Sequence, residues 1–243
     1  VSASVLAGEG SGMQRDYAYH SARHLSDLDD AGVIGTKAGE RAVARLNPVR
    51  LKSGPTTVMF DPRVAGSMVG HLVGAITGAA IARRTSFLLD ALETEIFAPG
   101  ITIIDDPHRI RGLRSKPFDG EGLPTSRRAL IDKGVLTTWL LDSASARQLG
   151  LAPTGHASRG VGGPPGAGTT NLHMEAGTHT PAELMADIVE GIYVTDLIGQ
   201  GVNGLTGDYS RGASGFVIRN GVLAEPVAEV TIAGNLKDMF RHV

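Results

Sequence analysis

Cysteine is absent from this sequence of 243 residues. The absence excludes disulfide scaffolds, thiolate nucleophiles, zinc ribbons and iron–sulfur proteins, because each of these needs a thiol. It leaves open a metal site built from histidine and carboxylate side chains, and it agrees with an expected location in the reducing cytoplasm. Aromatic residues are few, at 5%, whereas glycine is abundant, with 33 residues.

The sequence contains no long run of residues that all carry the same charge. The formal net charge is −2, and five or more like charges never follow one another. Nonspecific nucleic-acid binding needs a basic surface, so we expect no direct nucleic-acid partner. The first ten residues contain neither a basic segment nor a long apolar run, so a signal peptide is not indicated.

Long uncharged runs are also rare, and the one candidate for a membrane span covers residues 64–82. Its length is borderline for a bilayer. Ser67, His71 and Thr77 interrupt it, so the sequence favours a buried helix and no membrane association. Glycine occurs in it at every fourth position, at Gly66, Gly70, Gly74 and Gly78. This spacing predicts that the backbone of another element packs closely against the helix.

The remaining patterns predict an α+β fold with largely antiparallel sheets, hairpins and a few packed helices. Residues 129–142 are a predicted hairpin turning at Asp132-Lys133-Gly134, and residues 215–232 are a second one turning at Asn220-Gly221. The other predicted elements are two strands within 2–28, helix 35–46, strand 56–60, helix 64–82, strand 101–105, a polar loop over 107–124, helix 143–150 with Ser143 as its cap, a loop over 153–180, helix 181–192, strand 193–199 and a closing helix over 235–243.

Several short motifs match known sites but are better explained structurally. Residues 199–204 match G-x-G-x-x-G, yet more glycine rather than a helix follows, which favours a loop over a dinucleotide site. His20 and His24 lie on a predicted strand, about 13 Å apart, which is too far for one metal ion. Around the polar loop we expect mainly structural roles rather than metal binding or acid–base chemistry for Asp105, Asp106, His108, Asp119 and Glu121, with Arg127 and Arg128 as ion-pair partners.

The second glycine-rich stretch carries the most informative polar residues, which lie between glycines and beside a predicted hairpin. One interpretation is a groove in which an extended peptide pairs with an open strand edge. The other is a turn shaped by glycine, with Asp208 and Arg211 paired to each other. The residues alone leave both open, and the candidates for peptide or partner binding are Thr206, Gly207, Asp208, Tyr209, Ser210 and Arg211.

A family resemblance emerges from the same stretch. The strings GQGVNGLTGDYSRGASGFVIRNG and PVAEVTIAGNLKDMFR resemble the C-terminal signature of the TldD/PmbA family, in its PmbA (TldE) branch. Matches elsewhere follow the family's order along nearly the whole chain, and they are GMQRDYAY, GHLVGAITG, SFLLD, DDPH, PFDGEG, WLLDSASARQLGL and TGHAS. The resemblance implies the PmbA/TldD-like fold.

The resemblance also implies a biochemical role. The family's two paralogues are thought to form a heterodimeric zinc metallopeptidase, linked to proteolysis of a peptide antibiotic precursor and an antitoxin, and earlier to modulation of DNA gyrase. The TldD paralogue carries H-E-x-x-x-H, whose histidines bind zinc and whose glutamate activates a water molecule. Its further zinc ligand is a cysteine near the C-terminus. The implied partner is therefore a TldD-type paralogue, and the implied substrate is a peptide.

This chain departs from the zinc motif at two of its three positions. Aligned on the family's motif, the first histidine falls on Gly66, the glutamate on Ser67 and the last histidine on His71. The resemblance therefore implies no catalytic residue and no metal in this chain, and zinc in a TldD-type partner. The implied organisation is the middle and C-terminal part of a family member, with residues 1–50 ending a central region, 51–243 forming a β-rich C-terminal domain, and the N-terminal α/β domain absent.

Two other functions stay open. One is an independent metallopeptidase with an atypical metal site that combines His71 with carboxylates and another histidine. The other is a regulatory binding protein with no role in proteolysis. The sequence also does not separate a heterodimer from a homodimer.

Overall fold

The computed structural model describes all residues from Val1 to Val243. It confirms the predicted α+β fold class, with mostly antiparallel sheets and few helices. The elements in chain order are β1 (Ser2–Ala7), β2 (Gln14–Tyr19), α1 (Ala31–Ala44), β3 (Thr57–Phe60), α2 (Pro62–Ala75), α3 (Gly78–Ala82), β4 (Ile103–Asp105), β5 (Arg128–Asp132), β6 (Val135–Leu136), α4 (Ser143–Leu149), β7 (Ala157–Ser158), β8 (Gly166–Ala167), β9 (Leu172–Met174), α5 (Pro181–Met185), β10 (Glu190–Ile198), β11 (Asp208–Arg219), β12 (Val222–Asn235) and α6 (Leu236–Arg241).

The chain folds into two compact units, each made of separate stretches of sequence. The first unit comprises Val1–Ala65, Thr178–Gln200 and Arg211–Ile232. The second comprises Gly66–Gly177, Gly201–Ser210 and Ala233–Val243.

The first unit begins with the predicted pair of strands, β1 and β2, which pair antiparallel. Helix α1 packs on this pair through the buried side chains of Ala18, Ile34 and Ala38. The helix starts four residues earlier than predicted because the Asp30 carboxylate accepts hydrogen bonds from the Gly32 and Val33 amides. Such a cap satisfies amides that have no partner within the helix.

The main sheet of the first unit has the strand order β12-β11-β10-β3. The Asn220-Gly221 hairpin is confirmed, and both central residues have the positive φ of a tight hairpin turn. The prediction of a helix over 181–192 is wrong beyond Met185. The chain turns into β10 there, because the Ile188 and Val189 carbonyls accept hydrogen bonds from the amides of this hairpin turn.

A network of charges lies largely buried in the first unit, and no local sequence pattern predicts it. Asp16, only 2% exposed, accepts from Arg63 at 2.8 Å and from Arg45 at 3.3 Å. Arg63 also pairs with Asp61 at 3.1 Å, and the Tyr193 hydroxyl donates to Asp61 at 2.9 Å. Each buried charge thus has a partner of opposite sign, as burial requires.

The second unit contains an antiparallel sheet with the strand order β6-β5-β4-β9. The predicted hairpin over 129–142 is confirmed at its turn, where Lys133 and Gly134 have positive φ. Its second strand, however, is only two residues long. The following chain leaves the sheet, because Leu140 instead exchanges hydrogen bonds with the Ile76 carbonyl and the Gly78 amide, at 2.9 and 2.7 Å.

The same contact explains why the predicted helix over 64–82 forms two helices. Between α2 and α3, backbone hydrogen bonds with Leu140 replace those that a continuous helix would form. The Thr77 hydroxyl accepts a hydrogen bond from the Ala80 amide and so caps the start of α3. Neither piece is long and apolar enough to cross a membrane.

Helix α4 corrects one predicted cap. Its N-cap is Asp142, whose carboxylate accepts from the Ser145 amide at 2.7 Å, and Ser143 is the first residue of the helix. Gly150 ends the helix in the left-handed conformation, which glycine adopts readily.

Candidate functional site

The positions aligned with the zinc motif lie on helix α2. Gly66 is exposed, and a Cβ atom placed there would meet no atom within 4 Å outside the adjoining backbone of its own helix. The same is true of Gly70 and Gly74, so the predicted close approach of another backbone is wrong at these three glycines. It is confirmed at Gly78, whose amide donates to the Leu140 carbonyl at 2.7 Å. A Cβ atom at Gly78 would also lie 2.6 Å from the Leu141 side chain.

The His71 side chain packs against the Tyr209 ring. Five residues separate it from Gly66, so the two side-chain directions differ by about 140° on a regular helix. The His71 ring is half-buried and lies edge-on to the Tyr209 ring, with 5.9 Å between centroids and an angle of 77°. The helix therefore does not bring the motif positions together on one face.

The side chains present do not fit a catalytic zinc ion. Such a site needs three protein ligands, drawn from histidine, cysteine and carboxylates. No group of three or more histidine, aspartate or glutamate side chains lies close enough in the structure to hold one ion. Gly66 and Ser67 supply neither a nitrogen ligand nor a carboxylate base.

The acidic residues around the polar loop have structural partners. Asp119 accepts hydrogen bonds from three amides, those of Glu121, Leu123 and Ala157. Glu121 binds the amide and hydroxyl of Ser143 at 2.9 and 2.7 Å.

Asp105, at 1% exposure, accepts from the Thr170 amide and hydroxyl and lies 3.4 Å from the His156 ring. At the loop's edge, Asp106 accepts from the His108 amide at 2.9 Å. Arg127 does form an ion pair, but its partner is Glu175, at 3.6 Å, and not one of the acidic residues expected around the loop. The expected ion pair is wrong for Arg128, which donates to the Thr138 hydroxyl instead.

His20 and His24 also stay apart from any cluster. His20 binds Asp29 at 3.1 Å at the surface, and His24 is exposed in the turn that follows β2. The motif at 199–204 leads into strand β11 rather than a helix, which rules out the dinucleotide arrangement.

The candidate segment 206–211 begins in a tight hairpin of the second unit. The Ser210 amide donates to the Gly201 carbonyl at 2.7 Å, and the Asn203 amide donates to the Asp208 carbonyl at 2.8 Å. A Cβ atom at Gly201 would lie 1.7 Å from the Ser210 carbonyl oxygen, so only glycine fits there. Gly207 has a φ of +84°, which glycine adopts without strain.

Asp208 organises the tip of this hairpin. Its carboxylate accepts from the Thr206 hydroxyl at 2.6 Å and from the Asn235 amide group at 3.1 Å. These hydrogen bonds, from Thr206 first and then Asn235, lower the pKa of Asp208 below its usual value. Asp208 therefore stays charged at neutral pH. The predicted pairing of Asp208 with Arg211 is wrong, because Thr206 and Asn235 take that place.

The remaining candidates differ in exposure. The side chains of Thr206, Asp208 and Ser210 are exposed, whereas Tyr209 is only 1% exposed and packs its ring on His71. Arg211 belongs to the first unit, is half-buried, and its Nε atom is buried without a hydrogen-bond partner. The hairpin thus presents two hydroxyls and a carboxylate to solvent, with Tyr209 as its anchor.

Comparisons with known proteins agree on one family. Residues 53–243 match the model of the PmbA/TldA metallopeptidase C-terminal domain. The chain is 44% identical over 243 residues to the metalloprotease PmbA of Escherichia coli O157:H7, covering 100% of this chain and 52% of that protein. It thus spans about half the length of the curated relatives it matches.

Solved structures show the same fold. A protein from Bacteroides thetaiotaomicron, named as a modulator of DNA gyrase, superposes with a TM-score of 0.89 at 35% identity, covering 99% of this chain and 52% of that one. TldE from Thermococcus kodakarensis superposes with a TM-score of 0.87 at 24% identity, covering 99% and 55%, and supports the fold alone. The chain therefore belongs to the PmbA/TldD metallopeptidase family, as its sequence motifs indicated.

Proposed function

We propose that this chain is part of a PmbA/TldE-type subunit that works with a TldD-type paralogue in the proteolysis of peptides and does not itself carry the catalytic zinc. One observation supports this above the others. Helix α2 has Gly66 and Ser67 where the motif needs a ligand and a base, and its remaining histidine is packed against Tyr209. In the proposed complex the zinc ion of the partner would polarise the attacking water.

The contribution of this chain would then be to bind and position the peptide or the partner. The exposed hairpin side chains of Thr206, Asp208 and Ser210 suit this role, because they offer a fixed carboxylate and two hydroxyls for hydrogen bonds. The hydrogen bonds to Asp208 hold its oxygens in place before any ligand arrives. Such a preorganised group loses little conformational entropy on binding.

Arg211 is the second charged candidate, in the first unit. Its buried Nε has no hydrogen-bond partner in the chain, and an unsatisfied guanidinium nitrogen is costly to bury. The side chain as a whole is half-buried, and its remaining donors would bind a carboxylate or carbonyl from a peptide or partner. We further propose that the subunit acts in the cytoplasm, with a homodimer as the alternative to the pair with a paralogue.

Reconstitution with an H-E-x-x-x-H paralogue from the same genome tests the proposal. The pair should cleave unfolded peptide, whereas the purified chain alone should neither cleave it nor contain stoichiometric zinc by metal analysis. Near-stoichiometric zinc, with cleavage by the chain alone, would support an independent peptidase instead. Failure to assemble with the paralogue would favour the regulatory binding protein.

Variants of the candidate segment test the site itself. Asp208→Ala and Arg211→Ala should each lower cleavage by the assembled pair about tenfold or more, because each removes a charged hydrogen-bonding group. Asp208→Asn removes the charge but keeps the shape of the side chain, since its amide group can still form hydrogen bonds with Thr206 and Asn235. The matched controls are Asp187→Ala and Arg15→Ala, which remove exposed charges elsewhere in the chain. Equal activity in all variants, with assembly intact, would refute the assignment.

A further inference from the structure

A strongly basic loop lies in the second unit, outside the candidate site. Residues 107–116, here called the arginine loop, have the sequence PHRIRGLRSK and contain no acidic residue. Arg109, Arg111 and Arg114 are all exposed. The chain as a whole carries a net charge of −2, so this cluster stands out from its surroundings.

The arginine loop is closed and held by its own backbone. The Lys116 amide donates to the Pro107 carbonyl at 3.0 Å, which joins the two ends of the loop. Inside it, the Gly112 amide donates to the Arg109 carbonyl at 3.0 Å, and the Ser115 hydroxyl donates to the same carbonyl at 2.6 Å. These bonds fix the direction in which the arginines leave the backbone.

Asn171 attaches the arginine loop to the body of the unit. Its side-chain oxygen accepts from the Arg114 amide at 3.0 Å, and its side-chain nitrogen donates to the Asp106 carbonyl at 2.7 Å and to the Ser115 hydroxyl at 2.9 Å. A Cβ atom at Gly112 would lie 2.7 Å from this side chain, so the loop packs on Asn171 without spare room. The loop is therefore preorganised, which lowers the entropy cost of binding a ligand.

A groove of about 480 Å³ runs along the arginine loop. It is lined by residues 109–114 and by Thr170, Asn171 and Leu172. The aliphatic side chains of the loop are unusually open to solvent, with Ile110 at 90% and Leu113 at 54% exposure. The groove thus alternates cationic and aliphatic side chains.

The guanidinium groups of Arg109 and Arg114 are not used within the chain. Neither takes part in an ion pair or a side-chain hydrogen bond, unlike Arg127, which binds Glu175. Lys116 differs too, because its ammonium group donates to the Ala157 carbonyl at 3.1 Å. Two planar groups suited to carboxylates are therefore left available.

We infer that the arginine loop docks an acidic, extended polypeptide segment. Carboxylates of the segment bind Arg109 and Arg114, and an apolar side chain packs on Ile110 and Leu113. The aliphatic residues argue against a nucleic acid, because single strands are bound by stacking bases on aromatic rings, and no aromatic ring lines the groove. The inference is independent of the proposed function, since it concerns binding to this chain alone.

Fluorescence anisotropy tests the inference directly. The probe is a labelled dodecapeptide in which glutamate alternates with uncharged residues, two of which are leucine. Its matched control has glutamine in place of every glutamate. The acidic peptide should bind saturably and release as the ionic strength rises from about 0.05 M to about 0.3 M, because salt screens exposed charges. The glutamine peptide should not bind.

Paired variants locate the binding. Arg109→Gln with Arg114→Gln should weaken binding of the acidic peptide about tenfold, because two charge-assisted hydrogen bonds are lost. Arg83→Gln with Arg147→Gln removes the same charge from exposed positions elsewhere in the unit and should change the affinity less than about twofold. Thermal melting of both variants checks that they fold.

Three results would overturn the inference. They are no saturable binding of the acidic peptide, equal weakening by the two pairs of substitutions, and tighter binding of an oligothymidylate of equal charge than of the peptide. The last result would instead identify a nucleic-acid surface.

Discussion

Arginine serves opposite purposes in the two units of this protein. In the first unit, Arg45 is buried, Arg63 is half-buried, and each binds one carboxylate oxygen of Asp16. In the second unit, Arg109 and Arg114 are exposed and have no acidic partner. The number of arginines therefore does not locate a binding surface, whereas the pairing state of each guanidinium group does. Changes in either cluster should therefore show in different measurements.

The largest expected effect comes from the buried cluster. Asp16→Ala leaves the buried Arg45 with only the more distant Asp196, at 3.8 Å, as an acidic partner, and the half-buried Arg63 with only Asp61. Because a buried charge loses its nearest partner, the free energy of unfolding should fall by about 3 kcal/mol. Asp29→Ala, which removes an exposed carboxylate paired with His20, should cost at most about 1 kcal/mol. Urea unfolding measures both, and equal losses would mean that the network does not stabilise the first unit.

A substitution at Gly112 tests the shape of the arginine loop without changing its charge. Gly112→Ala would place a methyl group 2.6 Å from the Ser115 hydroxyl oxygen, and such overpacking costs about 1–3 kcal/mol when the surroundings do not yield. Because the arginines remain, a loss of acidic-peptide binding in this variant would show that the loop's shape matters. Unchanged binding would mean that charge alone is sufficient.

An alkaline titration tests the edge of the buried cluster. Burial, followed by the hydrogen bond and the charge of Asp61, raises the pKa of Tyr193 from 10.0 to about 12. The protonated phenol is thus favoured in the folded state, so its stabilisation is complete below pH 10 and is lost as the pH rises toward 12. Tyr193→Phe should cost about 1 kcal/mol at neutral pH and remove this part of the alkaline loss. An unchanged alkaline profile would contradict the assignment.

The smallest effect is expected for a paired but exposed arginine. Arg219 binds Glu225 at 2.8 Å, with 54% and 44% of the two side chains exposed. Arg219→Gln should change the free energy of unfolding by no more than about 0.5 kcal/mol, because water and salt screen such a pair. A loss above about 2 kcal/mol would show that exposure does not separate the two classes of arginine.

Local signals made much of the fold predictable. The turns at Lys133-Gly134 and Asn220-Gly221 were identified because the residues themselves favour positive φ. The break at Thr77 was not, because it depends on Leu140, more than sixty residues along the chain, and no local pattern reports that contact. The family was recognisable because its motifs recur in order along the chain.

The candidate site shows the same limit. The sequence singled out Asp208 from its glycine-rich surroundings, yet it suggested Arg211 as the partner, three residues away. Of its two actual partners, Thr206 lies two residues away, and Asn235 comes from the far end of strand β12, which no spacing indicates. The arginine loop was visible only as a polar loop, since the role of Asn171 in holding it depends on a fold that spacing alone does not give.

The three open glycines of helix α2 have a consequence for the stability of that helix. Glycine lowers helix stability by about 0.8–1.0 kcal/mol relative to alanine at an interior position, because it has more backbone freedom to lose. Outside the adjoining backbone of the helix itself, no atom lies within 4 Å of a Cβ atom placed at Gly66, Gly70 or Gly74, so alanine would fit at each. The helix that aligns with the family's zinc motif is therefore less stable than it would be with alanine at these three positions.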